Sequence, residues 1–182
     1  MFQDAQQAGL LVLPVAVGAA VVSPIVGKLT ERFAAKYLST FGVFLAGVGV
    51  ALVLVYVTWP VHIPLLITAQ FLIGVGHGVF QVPNTTTIML TVPTERRGIA
   101  NGVRSMAQNT GKLIGNAMAM LFITVFLSTE LKNSIYKGQA HSLSGSELQL
   151  LTQGFQLALA VMLVLCVAAV IASWSRGKEE SK

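Results

Sequence analysis

The amino-acid sequence predicts an all-α integral membrane protein, on three grounds. First, 54% of its 182 residues are hydrophobic and only 10% charged, with a mean hydropathy of +0.72. A soluble chain carries roughly 25% charged residues because its surface faces water, so this one must be solvated mainly by lipid. Second, the chain holds apolar stretches long enough to cross a hydrocarbon core of about 30 Å, which takes roughly 20 helical residues. Third, Lys and Arg gather in alternate connecting segments, the pattern of cytoplasmic loops. The stretches lack the strict alternation of a lipid-facing strand. Helix is therefore the spanning form that satisfies every backbone group from within.

Five spans are expected, at about Ala8 to Gly27, Leu38 to Thr58, Ile63 to Leu90, Gly98 to Leu127 and Leu151 to Trp174. Pro14, Pro24 and Pro83 fall inside spans, where neighbouring helices accommodate a kink. Lys28, Arg32 and Lys36 follow the first span, and Arg96 and Arg97 follow the third. Arg176, Lys178 and Lys182 lie in the tail, 175–182. The segment Trp59 to His62 has no Lys or Arg, and Ser128 to Leu150 has only Lys132 and Lys137. This asymmetry puts the N-terminus outside and the C-terminus in the cytoplasm, with 128–150 as an outer loop. Trp59 and Trp174 are expected as interfacial anchors at opposite ends of the bundle.

The spans differ in polarity. The second and fifth carry almost no strongly polar side chains, which suits peripheral positions. The third carries Gln70, His77, Gln81 and Asn84, spaced to share one helical face. The fourth carries Asn101, Ser105, Gln108, Lys112 and Asn116, with Arg104 close by. Polar stripes are costly against lipid. They imply a substrate cavity, for which Gln70, His77, Gln81, Asn84, Gln108 and Lys112 are the candidates, or hydrogen-bonded glue between helices. Lys112 lies about 20 Å along its helix, too deep to reach water easily. No Asp or Glu lies inside any expected span, so a carboxylate for Lys112 would have to come from outside this chain. Gly74 and Gly78, Gly98 and Gly102, and Gly111 and Gly115 are pairs four apart, expected to let helices pack closely.

Other chemistries are poorly served. The net charge of +5 comes without a dense basic run, so no nucleic-acid partner is expected. Cys166 is the sole cysteine and sits in an apolar run, which leaves no disulfide framework. His62, His77 and His141 are too scattered for a zinc site. No catalytic or cofactor motif occurs, so neither an enzyme, a metal nor a cofactor is expected. No basic region precedes the first span, and no cleavable signal peptide is expected.

The segment Gly27-Lys28-Leu29-Thr30-Glu31-Arg32-Phe33-Ala34-Ala35-Lys36 resembles the short cytoplasmic-loop motif of the major facilitator superfamily. Gly27, Leu29, Arg32 and Lys36 fit, while Glu31 replaces the usual Asp, and Ala34 and Ala35 replace Gly and a basic residue. Gly74-Val75-Gly76-His77-Gly78, Pro83, Pro93 to Gly102 and the Gly111–Gly115 pair follow in order. Their order is similar to the closing helices of the fourteen-helix drug:proton antiporter subfamily. Gln6 to Pro14 and the hydrophilic loop before the last span are also similar to that subfamily.

The resemblance implies the last five helices of a C-terminal transporter bundle, a fragment lacking one helix of its half and the whole first half. It places the third span on the central cavity, the first and fourth between halves, and the second and fifth outside. The polarity of the spans leads independently to the same roles for four of the five. The resemblance further implies proton-coupled efflux of small lipophilic molecules by alternating access, across the cell (inner) membrane. Gly27, Glu31, Arg32 and Lys36, with Arg96 and Arg97, become gating-loop candidates, though topology alone also explains the basic ones. The implied partners are the lipid bilayer, the missing N-terminal helices, a small-molecule substrate and protons. Because the implied proton-carrying carboxylates lie elsewhere, the chain is not expected to transport alone. The alternative is a free-standing, non-transporting membrane protein that associates with a transporter or with itself.

Overall fold

The computed structural model describes residues 5–59, 63–128, 132 and 145–175, and for 5–8 and 10 the backbone only. Its helices are α1 (Ala5–Leu29), α2 (Ala35–Thr58), α3 (Ile63–Thr91), α4 (Arg97–Thr124) and α5 (Gly145–Trp174). A 3-10 turn, Thr94–Arg96, leads into α4. The described residues include no strand. Pro14 and Pro24 are absorbed within α1 and Pro83 within α3, where it is fully buried. The expected interior positions for these prolines hold. α5 begins at Gly145 rather than Leu151, so the end of the expected outer loop is helical. The rest of that loop (apart from Ser128 and Lys132), His62, His141 and the basic tail residues lie outside the described residues.

Length and composition qualify α1 (as Leu11–Leu29), α2, α3 and α5 as membrane spans. α4 is long enough at 28 residues but too polar to qualify, since Asn101, Arg104, Gln108, Asn109, Lys112 and Asn116 interrupt it. Such a helix is stable across a bilayer when protein covers its polar side. Exposed Val17, Phe44, Leu113, Val164 and Ile171 are the large apolar surface that a lipid solvent leaves in place.

In space the helices follow the order α1, α3, α2, α5, α4, each against the next, and α4 touches α3 only sparingly. Glycine sets the closest contacts. Gly74 and Gly78 turn one face of α3 to α1: a Cβ on Gly74 would strike the Val15 backbone, and one on Gly78 would lie 2.5 Å from Val22 Cγ1. Gly76, on the opposite face, meets α2, where a Cβ would lie 2.5 Å from Ala46 N. α1 answers with Gly18, and α2 with Gly42 and Gly49. Without side chains at these points the backbones approach closely, and dispersion replaces the hydrophobic drive that lipid removes.

α2 and α5 are further joined near the basic end of the bundle. Thr40 donates its hydroxyl proton to the Lys36 carbonyl at 2.8 Å. It therefore accepts from the buried Ser173 hydroxyl at 2.9 Å. Lys36 Nζ sits 5.4 Å from the centre of the Trp174 ring, and Tyr37 meets that ring edge-on at 6.2 Å. At the other end of α5, Gly154 lies against the Ile123 backbone of α4.

Candidate functional site: a polar seam between α3 and α4

Two hydrogen bonds cross from α3 to α4. Gln108 donates through Nε2 to Gln81 Oε1 at 2.8 Å. Arg104 donates through Nη1 to Thr85 Oγ1 at 3.1 Å. Arg104 also spans Asn101 Oδ1 with Nε and Nη2, both at 3.3 Å, which fixes the plane of the guanidinium. Thr85 passes its own proton to the Gln81 carbonyl at 2.8 Å, leaving its oxygen free to accept from Arg104. The result is a seam of four half-buried side chains. Each amide or guanidinium there has exchanged lipid for a partner, a requirement for polar groups at membrane depth.

The register follows from the connection. α3 and α4 run antiparallel around the short Val92–Arg96 turn, so a step of four up one helix matches a step of four down the other. Thr85 with Arg104 and Gln81 with Gln108 are successive rungs. Four residues further along each helix stand His77 and Lys112. Both are exposed, and neither bonds to any described residue. Gln70 is half-buried, likewise without a hydrogen bond to a described residue, and Asn84 is half-buried with a partner. The structure thus joins Gln81 and Gln108 among the predicted cavity residues. It does not join Gln70, His77 or Lys112 to them.

Thr85 did not stand out in the sequence, and Arg104 was noted only as a neighbour of the stripe. Their spacing from Gln81 and Gln108 was the available signal, because each lies one turn from its seam neighbour on the side of the connecting turn. The α4 glycines Gly98, Gly102, Gly111 and Gly115 have nothing within 4 Å of where a Cβ would stand, so no described helix packs there. Gly74 and Gly78 lie against α1, and Gly18, Gly42, Gly49, Gly76 and Gly154 also lie against neighbouring helices.

The basic loop is less assembled. α1 ends in a turn in which Thr30 N and Phe33 N donate to Val26 O and Leu29 O, and Thr30 Oγ1 donates to the Gly27 carbonyl at 2.6 Å. Glu31 and Arg32 are exposed, and their side chains bond to no described residue. Lys36 is committed to Trp174. Arg96 and Arg97 are exposed, and Arg97 Nε reaches the Val92 carbonyl at 3.4 Å. Thr94 opens the 3-10 turn, which has no side-chain cap. Pro93 before it, φ −52° and ψ 146°, holds the chain extended there.

Two grooves run elsewhere on the surface. One of about 290 Å³ lies between α2 and α5, lined by Phe44, Gly47, Leu163, Cys166 and Val170 among others. The other, of about 440 Å³, lies between α1 and α3 beside Leu13, Val17 and Phe71. Both are apolar, and neither includes a seam residue.

An all-helical bundle with several membrane-spanning helices and its polar side chains gathered where two helices diverge defines a multi-pass membrane protein. Its particular family follows from comparison: the model of the Major Facilitator Superfamily matches residues 2–182, and the chain belongs to that superfamily. It is 33% identical over 120 residues to the uncharacterized transporter YebQ of Escherichia coli, covering 66% of this chain and 26% of that protein. It is 32% identical over 124 residues to the multidrug resistance protein Stp of Mycobacterium tuberculosis, covering 68% of this chain and 23% of that protein. The multidrug efflux pump LfrA of Mycolicibacterium smegmatis is 29% identical over 119 residues, covering 65% and 23%. The chain therefore spans about a quarter of the length of these relatives. No solved structure matches it.

Proposed function

We propose that this chain forms part of a secondary transporter that expels drugs or other small lipophilic molecules across the cell (inner) membrane. The names of Stp and LfrA support the cargo class. The observation that carries the reading is the α3–α4 seam, closed at Gln81–Gln108 and open from His77 and Lys112 onward. Two helices that share polar rungs at one end and diverge at the other give a wall on which a bundle can rock around a midplane site. Gln70 and His77 on α3 would face the substrate, while the seam holds α4 at its cytoplasmic end. In this reading the N-terminus lies outside and the C-terminus in the cytoplasm, which the distribution of the basic segments supports. Glu31 and Arg32, exposed at the cytoplasmic end of α1, would latch onto helices outside this chain when that side closes.

Proton coupling in this reading needs a carboxylate inside the membrane. The chain has Asp and Glu only at positions 4, 31, 95, 130, 147, 179 and 180, none of them mid-span. The coupling groups therefore lie on other helices, the chain alone does not transport, and no catalytic role falls to its residues. The test is a pair of preparations in liposomes under an imposed proton gradient, with efflux of a fluorescent lipophilic cation as readout. One is this chain alone; the other is LfrA with its matching segment replaced by this chain. The chimera transports, and Gln108→Leu or His77→Ala lowers its rate while membrane insertion stays constant. Transport by the chain alone, or a well-inserted chimera whose efflux ignores both substitutions, overturns the reading.

A further inference from the structure

The middle of α4 has no neighbour among the described residues. From Asn109 to Met118 every residue of α4 is exposed, so nearly three turns are uncovered on all sides. On either side of that stretch the helix is held, by Gln81 and Thr85 of α3 and by Gly154 of α5. Lipid can cover Leu113, Ile114 and Met118. It cannot cover Asn109, Lys112 and Asn116, which bond to no described residue. The glycines Gly111 and Gly115 lie on the same side as Gln108 and Lys112 and are open, leaving room for a backbone to approach closely.

We propose that this face of α4 receives a further transmembrane helix carrying an Asp or Glu at the level of Lys112, forming an ion pair with it. The uncovered length is about 15 Å of helix, which suits a helix rather than a small molecule. Charge selects the residue: Lys112 lies near the middle of α4, and its side chain has no anion among the described residues. A second copy of this chain does not answer, since among its described helices the acidic residues are Glu95, in the short 3-10 turn, and Glu147, in the first turn of α5. The inference rests on the reading that this chain works within a larger transporter, whose remaining helices would supply the partner.

The experiment uses single-span host helices of Leu and Ala with one guest residue. Asp, Asn or Ala is placed at a series of depths, and association with the full chain in bilayers is read by energy transfer. The Asp host at the depth of Lys112 associates about tenfold more tightly than the Ala host, and the preference falls away one turn above or below. Lys112→Gln removes most of the preference for Asp over Asn. Lys112→Glu transfers it to a Lys host. Lys112 is exposed and unbonded, so these variants keep the helical content of the parent, checked by circular dichroism. Equal binding of Asp and Ala hosts, a preference without depth dependence, a preference that survives Lys112→Gln, or self-association through α4 overturns the proposal. None of these outcomes depends on transport, so a failed efflux chimera with a positive host-helix result would reject the function and keep the docking face.

Discussion

On α3, Gly74, Gly76 and Gly78 each lie against a neighbouring helix, whereas on α4 Gly98, Gly102, Gly111 and Gly115 meet nothing within 4 Å. The two helices carry similar small-residue patterns and both carry polar stripes. Yet α3 is clasped on two faces, and α4 is held near its ends. A bare helix face is an invitation that needs a guest, and the sequence of the host does not say whether the guest is present. α3 finds both guests within this chain. α4 finds one at each end and, among the described residues, none in the middle.

The comparison breaks first at its glycines. Gly76→Leu should drive a side chain into the Ala46 and Gly42 backbone of α2 and destabilise the bundle by about 3 kcal/mol or more. Gly111→Leu should stay within about 0.5 kcal/mol of the parent. Thermal unfolding of both variants in detergent checks this, and equal losses would remove the distinction between the two helices.

The seam offers a finer test. A double-mutant cycle with Gln81→Leu and Gln108→Leu should give a coupling of about 1 kcal/mol, in the range of hydrogen bonds between membrane helices. The Thr85→Val and Arg104→Leu cycle should give a similar or slightly smaller coupling, because Arg104 keeps Asn101 when Thr85 is lost. Measured in a reversible unfolding system, a coupling near zero for Gln81 and Gln108 would mean that α3 and α4 are not joined there. The smallest effect falls at the α2–α5 end. Lys36→Ala should lose about 0.5 kcal/mol, the scale of an exposed cation–π contact. It should also leave Trp174 fluorescence closer to that of a freely hydrated indole.

Much of this architecture was legible in the sequence, and the reasons are physical. Lipid is an exacting solvent, so apolar runs of span length and alternating basic loops fix the helices and suggest their direction. The stripe of Gln70, His77, Gln81 and Asn84 was readable because helical periodicity converts spacing into a face. α4 was harder. Its polarity, which made it interesting, also makes it fall short of a span by composition. Thr85 and Arg104 escaped selection because a threonine on a helix is usually content with its own backbone, and an arginine near a turn looks like a topology signal. Only the antiparallel register shows that they form the rung below Gln81 and Gln108. The packing glycines Gly18, Gly42 and Gly49 escaped because their partners sit on other helices, and a search for pairs four apart cannot see them. The start of α5 was misplaced because Gly145 to Leu150 is polar enough to read as loop, although it continues the same helix.

The central claim is that the open polar face of α3 borders water rather than lipid. Substituted-cysteine labelling tests it most directly, with Cys166→Ser as background and the chain in lipid nanodiscs. Gln70→Cys and His77→Cys should react readily with a bilayer-impermeant maleimide. Phe44→Cys and Val164→Cys, on exposed apolar surface, should not. If positions 70 and 77 prove as unreactive as 44 and 164, the stripe faces lipid or sealed protein, and the account of a transport cavity on α3 is contradicted.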